Sequence, residues 1–107
     1  MYNYGCLIQR VVDGDTAIGI VDLGFGVSHK LRLRLVGINA PELKTEAGKV
    51  SYEALKAKIE GTTVMIDTVK DRQEKWGRYL AIITTTEGLV INDWLIQGGY
   101  AVKWTTI

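Results

Sequence analysis

Three polar clusters in the 107-residue chain combine residue types that can do chemistry. Asp13 and Asp15 stand in VVDGDT, Arg34, Asn39 and Glu42 in RLVGINAPE, and Lys75, Trp76 and Arg78 in EKWGR. Asp15 is a hard oxygen ligand at a strand start, suited to Ca²⁺ or Mg²⁺. The turn at Asn39 and Ala40 offers a second oxygen, with the Ala40 carbonyl available as well. Arg34 and Arg78 can flank a phosphate with bidentate hydrogen bonds and stabilise the charge that builds in its transition state. Glu42 can take a proton from water or orient it. Trp76 beside Lys75 sets a stacking surface next to a cation, the pairing expected where a flexible nucleic-acid strand is held. Taken singly, each cluster has a plainer explanation: DGD and Pro41 are turn signals, and KWGR suits a hairpin tip. His29 and Cys6 make no zinc site, since neither has a partner at ligand spacing.

These groups need elements to position them. CLIQRVV (6 to 12) and TAIGIVDL (16 to 23) read as strands joined by the DGD turn. In SHKLRLRLVGI (28 to 38), Lys30, Arg32 and Arg34 alternate with Leu31, Leu33 and Leu35, which is the period of a half-buried strand. Arg32 and Arg34 are therefore expected to point the same way, off the leucine core, with His29 in the loop before them. Tyr52, Leu55 and Ile59 recur at helical spacing within residues 50 to 61. Residues 63 to 69 and 79 to 85 return to strand, with a polar loop over 71 to 78. The tail predicts a short helix capped by Asn92 and stopped at Gly98 and Gly99. Five strands with one or two short helices predict a mainly β fold, a small antiparallel barrel of the oligonucleotide-binding (OB) type with a helix plugging one end.

The bulk properties bound the rest. Residues 1 to 107 read as a single domain, and an apolar share of 47% supports one compact core. Thirteen Lys and Arg against twelve Asp and Glu give a net charge of +1, so any anion site is made by local placement. That near balance disfavours tight duplex binding, which needs many phosphate contacts, and suits a short grip on a single strand. Cys6 cannot form an internal disulfide and reads as an inert buried thiol. No apolar run approaches the ~20 residues of a membrane span. With no charged n-region ahead of an apolar stretch, the expectation is a cytoplasmic protein, a monomer with dimerisation left open.

VVDGDT, RLVGINAPE, KWGRYLA and INDWLIQGGYA, in that order, resemble the staphylococcal-nuclease-like (thermonuclease) domain from about Ile8 to Lys103. The resemblance implies a Ca²⁺-dependent phosphodiesterase on an OB barrel, cutting DNA and often RNA and leaving 3′-phosphate ends. Carried over by position, it implies Asp15, Asn39 and the Ala40 carbonyl as metal ligands and Asp13 as an outer-shell acid. Arg34, Glu42 and Arg78 take the catalytic positions, and Lys75 and Trp76 hold the terminal nucleotide. Mg²⁺ ranks second, since it demands a stiffer octahedral shell.

Two departures from the family pattern stand out. Asn39 replaces the usual aspartate, which removes one negative charge from the implied metal shell, and Trp76 replaces a tyrosine, which keeps the stacking face and drops the hydroxyl. The alternatives are a nucleic-acid-binding module with weak or no catalysis and a protein-interaction domain of the same fold. Trp94, Tyr100 and Trp104 are expected to close the barrel end where longer family members add a helix.

Overall fold

The computed structural model describes residues 2–73 and 77–104. Five strands close a barrel: β1 (Tyr2–Asp13), β2 (Thr16–Gly24), β3 (Val27–Leu35), β5 (Thr63–Gln73) and β6 (Tyr79–Thr85), in the order β1-β2-β3-β6-β5. Two-residue strands β4 (Ile38–Asn39) and β7 (Val102–Lys103) pair beside it, and helices α1 (Glu46–Ile59) and α2 (Ile91–Gln97) complete the domain. This is the mainly β, OB-type barrel that the strand count predicted. Among the described residues, no helix is long and apolar enough to cross a membrane.

The alternation in KLRLRL sets the geometry of β3. Leu33 and Leu35 are fully buried, while Lys30 and Arg32 are exposed on the opposite face. Facing residues on β2 obey the same rule: Ala17 pairs with Leu33 on the inside, and Ile18 pairs with Arg32 on the outside. Burial of Ile8, Val11, Val21, Leu55, Ile59, Ile66 and Ile83 joins the strands to α1 in one core. Hydrophobic burial of this kind contributes about 25 cal/mol per Å² and is the main force closing the barrel. Cys6 lies in the same core, where burial pushes its thiol up to about 11, so it stays protonated and unreactive at neutral pH.

Several boundaries differ from the sequence reading. β1 begins earlier and β5 runs on to Gln73, into the stretch read as loop, because long-range pairing with β6 extends the ladder past the local polar signal. His29 lies within β3 opposite Val21, not in a loop. α1 starts at Glu46, ahead of the apolar periodicity, because the Thr45 hydroxyl accepts from the Gly48 N–H at 2.9 Å and caps it. The expected all-antiparallel barrel is closed by one parallel pair, with Leu33, Arg34 and Leu35 beside Tyr79, Leu80 and Ala81. At the end near α2, the Trp94 and Tyr100 rings meet at 5.5 Å, whereas Trp104 is half exposed. Phe25 stands fully exposed at the tip of the β2–β3 hairpin.

Asn92 is not the cap of α2; Val90 holds that place, without a side-chain bond. Asn92 is instead buried in the first turn and stitches the parallel seam. Its Nδ2 donates to the carbonyls of Val36 at 2.8 Å and Ala81 at 3.2 Å, and its Oδ1 accepts from the Ile83 N–H at 3.0 Å. Removing it leaves the buried Ile83 N–H without its acceptor and takes a donor from the Val36 carbonyl. Asn92→Ala is expected to destabilise the fold by about 3 kcal/mol in urea unfolding. A change below about 0.5 kcal/mol would show that the seam holds without it.

Candidate functional site

Gly14 turns β1 into β2, and the absence of a side chain lets two distant segments approach. A Cβ there would come within 2.7 Å of the Ala40 Cβ and 2.8 Å of the Ser51 Cβ. The DGD corner therefore lies flush against the turn after β4 and against α1. Asp15, the next residue, is 8% exposed. Its Oδ2 accepts from the Ala40 N–H at 2.9 Å and sits 3.4 Å from Nη2 of Arg34, while Oδ1 accepts from the Thr16 hydroxyl at 3.2 Å. Asp13 Oδ1 accepts from the Asp15 N–H at 3.0 Å, which brings a second carboxylate alongside.

Arg34 leaves β3 on the outer face, as the alternation requires, but its guanidinium folds beneath the next turn. Nη1 donates to the Leu35 carbonyl, and Nη2 donates to the Ile38 carbonyl at 3.0 Å and to Asn39 Oδ1 at 3.3 Å. Only 13% of its side chain is exposed. A single cation thus touches Asp15 and Asn39 together. Arg32, two residues earlier, remains in solvent.

Burial raises the pKa of Asp15 most, and the Asp13 side chain adds to the rise. The Ala40 N–H and the charge of Arg34 oppose it without cancelling it. Two carboxylates, Asp13 and Asp15, thus stand close together with the one guanidinium of Arg34 against Asp15. Among the described residues, no group of three or more His, Cys, Asp or Glu gathers anywhere. The oxygens of Asp15, Asn39 and Asp13 are nonetheless of the type a hard cation takes.

Glu42 stands apart from this group. Its carboxylate is 74% exposed and lies 3.3 Å from Lys44 Nζ, a surface pair that holds little. Its backbone, by contrast, is fastened. The Glu42 carbonyl accepts from the Thr45 N–H at 3.0 Å and the Thr45 hydroxyl at 2.7 Å, and a Cβ on Gly48 would lie 1.8 Å from that oxygen. Arg78 directly precedes β6, two residues before Leu80, the parallel neighbour of Arg34. Lys75 and Trp76 lie outside the described residues. Of the positions marked in the sequence, Asp13, Asp15, Arg34, Asn39 and Ala40 are therefore brought into contact, and Glu42 follows two residues after Ala40 with its side chain in solvent.

Gly14, Gly48 and Ser51 escaped the sequence reading because their work is to allow or make tertiary contacts. The Ser51 hydroxyl donates to the Tyr100 carbonyl, tying α1 to the segment before β7. A pocket of about 200 Å³ opens there between residues 39–41 and 99–102. Thr45 ahead of Glu46 was a legible cap signal for the earlier helix start.

The family described as staphylococcal nuclease homologue matches residues 32–107. An uncharacterized endonuclease of Escherichia coli is 34% identical over 95 residues, covering 88% of this chain and 57% of that protein. Endonuclease YhcR of Bacillus subtilis (strain 168) is 29% identical over 111 residues, covering 92% of this chain and 9% of its own length. A probable staphylococcal-like nuclease of Oryza sativa subsp. japonica, CAN2, is 38% identical over 80 residues, covering 75% of this chain and 21% of its own length. The chain spans little more than half of the E. coli relative and a smaller share of the other two.

Two outcomes follow from this geometry. Because the folded-state pKa of Asp15 lies above its ordinary value, the fold favours the protonated form. That contribution is present at low pH and is lost as pH rises through the folded-state pKa. Carboxyl ¹³C titration is expected to find Asp15 above the usual aspartate range, and Arg34→Ala, which removes the opposing cation, is expected to move it higher still. Gly48→Ala is expected to cost about 1–3 kcal/mol in urea unfolding, since the backbone carbonyl of Glu42 blocks the added methyl.

Proposed function

The chain belongs to the staphylococcal nuclease family, and we propose that it is a metal-dependent endonuclease hydrolysing single-stranded DNA, and RNA as a second substrate, with little sequence preference. One observation carries the reading: Asp15, from the corner after β1, meets Arg34 and the Asn39 and Ala40 turn at one end of a closed barrel. Carboxylate, guanidinium and amide oxygen gathered in this way suit a phosphate and a cation together.

In this proposal Asp15, Asn39 and the Ala40 carbonyl would hold Ca²⁺, with Asp13 in the outer shell, and the ion would supply positive charge to the scissile phosphate. Mg²⁺ is the second choice. Arg34 and Arg78 hold the phosphoryl oxygens and favour the extra charge of the transition state. Glu42, placed at the rim with its carboxylate in solvent, orients a water and accepts its proton. The water oxygen bonds to phosphorus, the bond from phosphorus to the sugar 5′-oxygen breaks, and Arg78 supports the departing oxygen until it is protonated. The products are a 3′-phosphate and a 5′-hydroxyl. Lys75 and Trp76 hold the terminal nucleotide, by charge and by stacking.

Asn39 favours a second reading, a binder without turnover. Ca²⁺ affinity follows ligand charge, and an amide oxygen in place of a carboxylate weakens the site. Both readings are tested by cutting of an end-labelled single-stranded DNA across a Ca²⁺ titration. Ca²⁺-dependent cutting is expected, with Glu42→Ala lowering turnover about 10²-fold or more and Asn39→Asp saturating at lower Ca²⁺. Activity confined to Asn39→Asp would establish the binder. Silence from both proteins at every concentration would end the nuclease proposal.

A further inference from the structure

The stretch from Leu23 to Pro41 contains no Asp or Glu, yet it carries Lys30, Arg32 and Arg34. In a chain of net charge +1 this is a local concentration of positive charge, and the barrel adds to it. On the outer face, Lys30 pairs with Ile20 and Arg32 with Ile18 on β2, and on the next strand Arg10 of β1 pairs with Ile18. Three exposed cations thus surround two isoleucines instead of facing acids across the ladder. Ile18 is only 9% exposed despite pointing outward, as expected where long cationic side chains lie over it and keep their heads in water. None of Arg10, Lys30 and Arg32 forms an ion pair with a described residue. The nearest acid along β2, Asp22, is opposite Ser28 beyond Lys30 and accepts from the Gly24 N–H.

A row of like charges without counter-charges repels itself and gives the fold nothing. It becomes favourable when an anion of repeated charge lies along it. Alternate residues on a strand are about 7 Å apart, so Lys30, Arg32 and Arg34 form a straight rank that leads into the site. Such a rank meets successive phosphates of one extended strand far better than it meets a compact anion. The face of the second and third strands is also where barrels of this type take oligonucleotides.

Resting on the nuclease reading above, we propose that Arg10, Lys30 and Arg32 are substrate-binding residues. They form a track on the outer face of β1, β2 and β3 that holds the backbone phosphates flanking the cleaved one in a single-stranded nucleic acid. Ile18 and Ile20 give the track an apolar floor. Its contacts are to phosphate alone, so it adds affinity without sequence preference. Bulk charge does not carry this binding; three placed side chains do.

The test is the salt dependence of binding to a fluorescein-labelled oligothymidylate, read by anisotropy in EDTA, beside steady-state cutting of the same oligonucleotide in Ca²⁺. Arg10→Ala, Lys30→Ala and Arg32→Ala are each expected to flatten the slope of log K against log salt by about 0.7. Each is also expected to raise KM several-fold at unchanged kcat, and Arg32→Lys is expected to restore the parent slope. Lys49→Ala, which removes an exposed α1 charge outside the track, is expected to change neither quantity. Parent-like slopes in all three track variants, in a chain that binds and cuts, would overturn the track alone. An equal loss in Lys49→Ala would overturn it too, by showing that net charge suffices. A parent that neither binds nor cuts would overturn the nuclease reading and the track with it.

Discussion

The contact between the Asp15 carboxylate and the backbone N–H of Ala40 is the constraint on which the site depends. It ties the β1–β2 corner to the turn after β4, two segments far apart in the chain, and it forms only because Gly14 presents no side chain to Ala40 and Ser51. The same carboxylate then receives Arg34, whose guanidinium is held by the Leu35 and Ile38 carbonyls. A buried acid is costly unless it is met by donors and charge. Here one donor, the Ala40 N–H, comes from the turn it organises, and the charge comes from Arg34 on β3, whose guanidinium donates to Ile38 and Asn39 beside that turn, so the position of each depends on the others.

The barrel makes that mutual dependence durable. Strand pairing fixes β1, β2 and β3 side by side, which sets Asp15, in the corner just before β2, beside Arg34 of β3. The parallel pair of β3 and β6 then brings the segment that starts with Arg78 up beside them. Parallel closure leaves an irregular seam, and Asn92 fills it from α2 with three hydrogen bonds to backbone. A polar residue buried in a helix is thus explained by the strands it joins.

Charge is distributed by the same framework. At its core end, β3 offers a guanidinium already engaged with an acid; farther out, it offers cations with no partner among the described residues. One strand therefore supplies both a positioned group beside the buried carboxylate and an open electrostatic surface. Arg32 and Arg34 are the same residue type on the same face, and they differ in that Arg34 is largely buried against acceptors while Arg32 is exposed. Glu42 shows the converse, a backbone locked by Thr45 and Gly48 that carries a side chain left to solvent.

Much of this was legible in residue order. Two-residue alternation in KLRLRL assigned inside and outside for β3, the DGDT and NAPE turns marked the chemistry, and five apolar runs indicated a barrel, because these signals depend on near neighbours. Tertiary structure alone decided the rest. The parallel closure, the extension of β5, the role of Asn92 and the folding of Arg34 beneath its turn all depend on groups many residues away. Local periodicity carries no information about such partners. Charge and type were written in the sequence; which carboxylate is buried, and which arginine answers it, was decided by packing.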